Sequence, residues 1–197
     1  INKAFQKYNI SNLNDLRVNA KNFNDEIINN IRKVYVNELN KKMLNCFSDN
    51  IKNIFGSDFL IQRYPQIQIN IAEKLSTQTP AHIELMAGHS PFTFNLWVPF
   101  HTPEHQSGIF IIDSDKSVEL CDYELSNQTK SRWEIIKDHI HFPQINYGEA
   151  LLFNSFVYHG TIKNSAIKAR ISADVRFQSI NKPLYEKFNE FFETVKL

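Results

Sequence analysis

Tyr147–Ser172 reads YGEALLFNSFVYHGTIKNSAIKARIS, and the rest of the chain can be placed around it. Ala150–Val157 is an apolar-rich run of strand length that stops just short of His159. Gly160 marks a turn, and Ile167–Phe177 then reads as a returning strand paired with the first. Strand side chains alternate, so Arg170, Ser172, Asp174 and Arg176 share one face. A histidine at the end of one strand and an arginine on its neighbour suit a metal ion beside an anionic co-substrate.

Upstream, Phe92–Phe100 (FTFNLWVPF) is strand-like, with Thr93, Asn95 and Trp97 on one face and Phe94, Leu96 and Val98 on the other. Gly108–Ile112 is a short buried strand. Gln66–Ile71 alternates strictly: Ile67, Ile69 and Ile71 face one side, Gln66, Gln68 and Asn70 the other. The polar side is either solvated or the wall of a polar cavity. Ala81–Met86 (AHIELM) reads as one more strand, and there His82 and Glu84 point the same way.

The flanks are helical. From Asn24, Ile27, Ile28, Ile31, Val34, Tyr35 and Leu39 recur at three- and four-residue steps, Met43, Leu44, Phe47, Ile51, Ile54 and Phe55 continue them, and Gly56 ends the run. Lys182–Val195 is expected to close the chain as an amphipathic helix with Leu184, Phe188, Phe191, Phe192 and Val195 as its stripe. Asp113–Asn146 is polar and irregular, with one short helix near Arg132–Lys137, and is expected to act as a lid. The division is a single domain: a helical N-terminal segment (1–58), a β core (59–180) and a closing helix (181–197). Strands at this spacing without intervening helices give a mainly β, antiparallel sandwich or barrel with helices outside.

Composition bounds the function. With 42% hydrophobic and 22% charged residues the chain is an ordinary globular one, and a net charge of +1 gives no electrostatic case for nucleic acid or a membrane surface. No apolar run is long enough to span a bilayer. Cys46 and Cys121 lie far apart and suit a reducing compartment, so the expected location is cytoplasmic.

Two imidazoles and a carboxylate on one face, with open positions, describe the facial triad of non-haem Fe(II) oxygenases. His82, Glu84 and His159 supply that set, and Arg170 with Ser172 offers a guanidinium and a hydroxyl for a carboxylate. The stretches AHIELMAGHSPFTFNLWVPF and YGEALLFNSFVYHGTIKNSAIKARIS resemble the Fe(II)/2-oxoglutarate-dependent oxygenases. The nearest likeness is to the phytanoyl-hydroxylase-like branch of carbohydrate and antibiotic clusters, streptomycin-biosynthesis-type oxygenases included, over roughly residues 64–177. The resemblance implies a double-stranded β-helix (a jelly-roll, cupin-like core) and Fe(II) on His82, Glu84 and His159. It also implies 2-oxoglutarate held through its distal carboxylate by Arg170 and Ser172. Dioxygen and a small polar metabolite or sugar-linked intermediate would be the other reactants, with hydroxylation driven by decarboxylation to succinate. Glu84 departs from the commoner aspartate but keeps the carboxylate; glycine or alanine there would have implied a halogenase.

Other residues are open to two readings. Asn95 and Trp97 line the 2-oxoglutarate pocket or pack the core. His89, His101, His105, His139 and His141 surround the expected mouth, with solvated loop positions the plainer reading. Trp133 is a candidate for substrate stacking. Two further functions fit the same pattern: a cupin-like metal enzyme that has no need of Arg170, and a non-catalytic jelly-roll carbohydrate-binding module in which these residues never meet.

Overall fold

The computed structural model describes residues 8–74, 78–104, 107–126, 129–185 and 189–197. His105 and Phe188 lie outside the described residues.

Helix α1 (Leu13–Asn19) opens with a reciprocal cap between Asn12 and Asp15, which satisfies backbone donors that have no partner inside the helix. After a 3-10 turn at Ala20–Asn22, helix α2 (Asp25–Phe55) starts at Asn24, whose side chain accepts from Ile27 N. Its backbone leaves helical values once, at Phe47 (φ −121°, ψ 15°). Gly56 stops it at φ +88°, a conformation that glycine adopts without the steric cost of a Cβ. Ile28, Ile31, Leu39, Met43, Ile51 and Phe55 form the buried stripe of α2.

Among the described residues eight strands follow: β1 (Asp58–Gln62), β2 (Gln66–Asn70), β3 (Thr93–Pro99), β4 (Phe110–Ile111), β5 (Leu151–Asn154), β6 (His159–Gly160), β7 (Arg170–Ser179) and β8 (Phe192–Lys196). The major sheet runs β5-β3-β7-β1-β8, with β2 also on β7, and all its pairs are antiparallel. The minor sheet pairs β4 with β6. Residues of both sheets enclose one cavity, giving the double-stranded β-helix arrangement.

The register sorts the side chains. Ile67, Ile69, Ile171, Ala173, Val175 and Phe177 face α2 and form the main core. Their neighbours Gln66, Gln68, Asn70, Arg170, Ser172, Asp174, Arg176, Asn95 and Trp97 all lie on the other face, toward the minor sheet. Pairing Asn95 with Arg176 and Gln68 with Ser172 in register is what gathers the polar groups. Phe177 is fully buried and stacks on Phe55 with ring centroids 5.7 Å apart. Phe177→Ala should therefore cost about 3–5 kcal/mol in urea unfolding; a loss below about 1 kcal/mol would contradict this packing.

Four expectations give way. The strand at Leu151 does not pair with β7, because β3 lies between them. Ala81–Met86 is no strand: only His82 makes a bridge, and Ile83–His89 turns back on itself through Ala87 N to Ile83 O and His89 N to Glu84 O. The irregular segment contains a helix, α3 (Ser114–Ser126), besides the expected α4 (Arg132–Ile136). α3 buries only Ser117 and Leu120, too sparse a stripe to read as a helical period. The closing helix of 181–197 is replaced at its end by β8, while Leu184 is 58% exposed. β8 pairs with β1 from Asp58↔Lys196 to Gln62↔Phe192, covering an edge whose backbone groups would otherwise lack partners.

Candidate metal centre

The three donors meet through a backbone contact. His82 N donates to His159 O and His159 N to His82 O, both at 3.0 Å, so residues 77 positions apart in sequence become bridge partners. The close approach depends on Gly160. A Cβ there would lie 2.9 Å from Phe110 Cζ and from Thr79 O and 3.1 Å from Ala81 N. Gly160→Ala must push β6 away from the His82 segment, with an expected destabilisation of about 1–3 kcal/mol and weaker metal uptake, both readable by calorimetry.

Glu84 comes from the turn that follows. Its Oε1 lies 3.6 Å from His82 Nε2 and 3.5 Å from His159 Nε2, and the three ligand atoms fall within 4.8 Å of one another. Donors bound roughly 2.1 Å from a common ion are about 3.5 Å apart at an angle of about 115°. Each imidazole places its other nitrogen against a carbonyl: His82 Nδ1 on Pro80 O at 2.9 Å, His159 Nδ1 on Val157 O at 3.0 Å. A carbonyl only accepts, so Nδ1 carries the proton and, in the neutral ring, Nε2 presents a lone pair. Burial pushes His159 down from its ordinary pKa, a shift that Glu84 offsets only in part, and so keeps that ring neutral. Two lone pairs and a carboxylate oxygen pointing at one another repel unless a cation lies between them. The donor set therefore fits a divalent metal with its histidines oriented from behind.

Glu84 is 1% exposed and held on both oxygens. Arg176 Nη2 donates to Oε1 at 2.6 Å and Nε to Oε2 at 3.0 Å, Asn95 Nδ2 donates to Oε1 at 3.0 Å, and His89 Nε2 lies 3.2 Å from Oε2. Burial works against the anion, yet contacts with His159, His82 and Arg176 outweigh it and hold the carboxyl far below the usual range. With no proton on His159 Nε2 to share, we attribute that stabilisation chiefly to the Arg176 pair. Asn95 is thus a partner of the carboxylate, and His89 is 5% exposed rather than a solvated loop residue. Nothing in the local pattern GHSP announces that role, since it follows from the turn that folds His89 back onto Glu84.

The adjoining cavity encloses about 380 Å³ of empty space, its open mouth included, and is walled by Gln66, Gln68, Trp97, Asp174 and Arg176 opposite His82 and His159. Of the polar side of Gln66–Ile71, Gln66 and Gln68 face this cavity, while Asn70 Nδ2 donates to Ile162 O at 3.4 Å. Burial raises the Asp174 carboxyl, Arg176 partly offsetting it.

Arg170 and Ser172 lie further along the same face of β7. Arg170 is 1% exposed; Nε donates to Ser107 O at 3.1 Å, Nη1 donates to Ser172 Oγ, and Nη2 has no hydrogen-bond partner among the described residues. Its guanidinium sits 5.8 Å from the Trp97 ring, and no carboxylate among the described residues pairs with it. Burial lowers its pKa to about 10. An unpaired, buried donor on a cation calls for an anion.

Of the remaining candidates, His139 and His141 are exposed, His101 Nε2 accepts from Ile171 N at 3.1 Å, and Trp133 is 44% exposed against Phe110. The α3–α4 segment is fastened to the centre. Tyr158 donates to Glu124, Glu124 pairs with Arg132 at 2.8 Å, and Arg132 Nη1 donates to Ala81 O at 3.0 Å, so the bonds reach the neighbours of both His159 and His82.

No known family profile matches the chain, and no curated protein does. Solved structures similar to it include a non-haem monooxygenase, ThoJ, in complex with nickel, at 12% identity over 66% of this chain and 49% of that one, TM-score 0.47. SnoN, a non-haem α-ketoglutarate-dependent epimerase from nogalamycin biosynthesis, matches at 14% identity over 74% and 57%, TM-score 0.49. EctD from S. alaskensis with bound Fe matches at 14% identity over 70% and 51%, TM-score 0.49. The chain spans about half the length of these proteins. Among the described residues no helix is long and apolar enough to cross a membrane.

Proposed function

We propose that this chain is a non-haem iron oxygenase that couples decarboxylation of 2-oxoglutarate to hydroxylation of a small polar metabolite. The observation that carries the reading is the convergence of His82 Nε2, Glu84 Oε1 and His159 Nε2, together with a buried guanidinium nitrogen of Arg170 on β7 that has no partner among the described residues. Fe(II) held by the three donors would supply the site at which dioxygen, the oxidant, is reduced by two electrons from 2-oxoglutarate and two from an unactivated C–H bond.

The chain's own residues do the rest. His82 and His159, fixed by Pro80 O and Val157 O, keep their Nε2 atoms aimed without reorganisation. Arg170 Nη2 and Ser172 Oγ would take the distal carboxylate of the keto acid, in a site where burial strengthens a charge-assisted bond. Trp97, Phe153 and Ile109 supply the apolar portion of the cavity wall and restrict water, while Gln66, Gln68 and Asp174 offer polar contacts to the reacting molecule.

Arg170 favours this reading over a cupin-like enzyme that does without 2-oxoglutarate, for which a buried unpaired cation has no purpose. The test is succinate release from 2-oxoglutarate across a panel of polar metabolites, with and without Fe(II). Stimulated, iron-dependent succinate formation is expected. Metal-dependent turnover of a metabolite without 2-oxoglutarate would replace the proposal with the cupin-like one.

A further inference from the structure

We propose that Arg176 is a positioning residue that makes Glu84 a one-oxygen metal ligand, presenting Oε1 to the ion and withholding Oε2. The inference rests on the metal reading above and deepens it. A carboxylate can offer a metal one oxygen or both, and it rotates between the two modes unless something holds its plane. Here both ends of the Arg176 fork are engaged: Nε at 3.0 Å from Oε2 and Nη2 at 2.6 Å from Oε1. His89 Nε2 at 3.2 Å also lies on Oε2, whereas Oε1 is the oxygen nearest both imidazoles. Planar, two-point contact fixes orientation in a way that a point charge does not.

Arg176 is itself braced. Its Nη1 donates to Gln62 Oε1 at 2.9 Å, its backbone N donates to the same oxygen at 3.3 Å, and Nη1 lies 3.5 Å from Asp174 Oδ2. The brace comes from β1, β7 and β3 together, because Asn95 stands opposite Arg176 in register and completes the hold on Oε1. The extra methylene of glutamate over aspartate would give this ligand more freedom than the shorter side chain, and the fork on β7 removes it. The buried guanidinium also balances the carboxylate charge before any metal arrives.

Lysine at 176 keeps the charge and loses the fork, so Arg176→Lys separates the two contributions. The probe is Co(II), titrated anaerobically and followed by its d–d absorption, with thermal unfolding of the metal-free variant as a folding check. Wild type is expected to take up one Co(II). Folded Arg176→Lys is expected to bind it about tenfold or more weakly and with displaced bands, as the freed carboxylate changes its mode. Equal affinity with unchanged bands would overturn the inference while leaving the metal site standing. Wild type that takes up no Co(II) would overturn the metal reading itself, and this inference with it. Should Arg176→Lys fail to fold, Gln62→Glu decides, since a carboxylate there competes with Glu84 for the same guanidinium. Weaker binding with displaced bands supports the role, and wild-type behaviour refutes it.

Discussion

Glu84→Ala is expected to abolish metal uptake and, in the same step, to cost roughly 3–5 kcal/mol of folding stability. Removing a metal ligand ordinarily relieves strain in the metal-free protein, because donors aimed at an empty point repel. Glu84 is different, being one half of a buried ion pair with Arg176. Truncation leaves that guanidinium, 3% exposed, and the Asn95 amide without their main acceptor. Asp174, 3.5 Å from Arg176, takes up some of the charge, which favours the lower end of the range. His82→Ala is the contrast: it too should end metal uptake, but it removes one of the facing lone pairs and should leave metal-free stability within about 1 kcal/mol of wild type. Acid titration gives a second signature. A carboxyl whose folded pKa lies below its ordinary 4.5 stabilises the fold above that pH and loses the contribution as pH falls beneath it. Wild type should therefore lose stability below pH 4.5 more steeply than Glu84→Ala. Urea midpoints across pH 3–6 check both points, and equal loss in the two single variants would refute the buried-pair account.

Arg170→Met is expected to weaken 2-oxoglutarate binding by about tenfold to a hundredfold while leaving metal binding intact. The charge-assisted bond from Nη2, worth about 1.5–3 kcal/mol, disappears with the guanidinium, while the Ser172 hydroxyl remains. The metal-free protein should tolerate the change, because Arg170 is a buried cation with no carboxylate in a salt bridge to it among the described residues and methionine fills much of the same volume. The bonds to Ser107 O and Ser172 Oγ are lost in exchange. Calorimetric titration of 2-oxoglutarate into Co(II)-loaded protein measures the effect, and an affinity within about threefold of wild type would remove Arg170 from the co-substrate site.

The alternation of QIQINI and FTFNLWVPF and of the strand from Arg170 was legible because one face of each is apolar against α2. The same alternation put Arg170, Ser172, Asp174 and Arg176 together on the inner face, and the family resemblance of the two stretches singled out His82, Glu84 and His159, although the strand expected to align His82 with Glu84 does not form. Tertiary context decided the remainder. AHIELM has strand spacing but folds as a turn, because His82 is captured by His159 and Ile83–His89 closes on itself. The Leu184–Val195 stripe fits a helix, yet the free edge of β1 takes Phe192–Lys196 as a strand, and Phe191 is drawn against His89 with ring centroids 5.2 Å apart. The Arg176–Glu84 pair joins residues 92 positions apart, and no local pattern in either segment announces it.

The most direct test of the central claim is anaerobic titration of Fe(II) and 2-oxoglutarate into the protein, read in the visible region. The account predicts a metal-to-ligand charge-transfer band that needs both components, saturates at one equivalent, and is lost in His82→Ala and Glu84→Ala. Folded wild-type protein that gives no such band with both components present would contradict it.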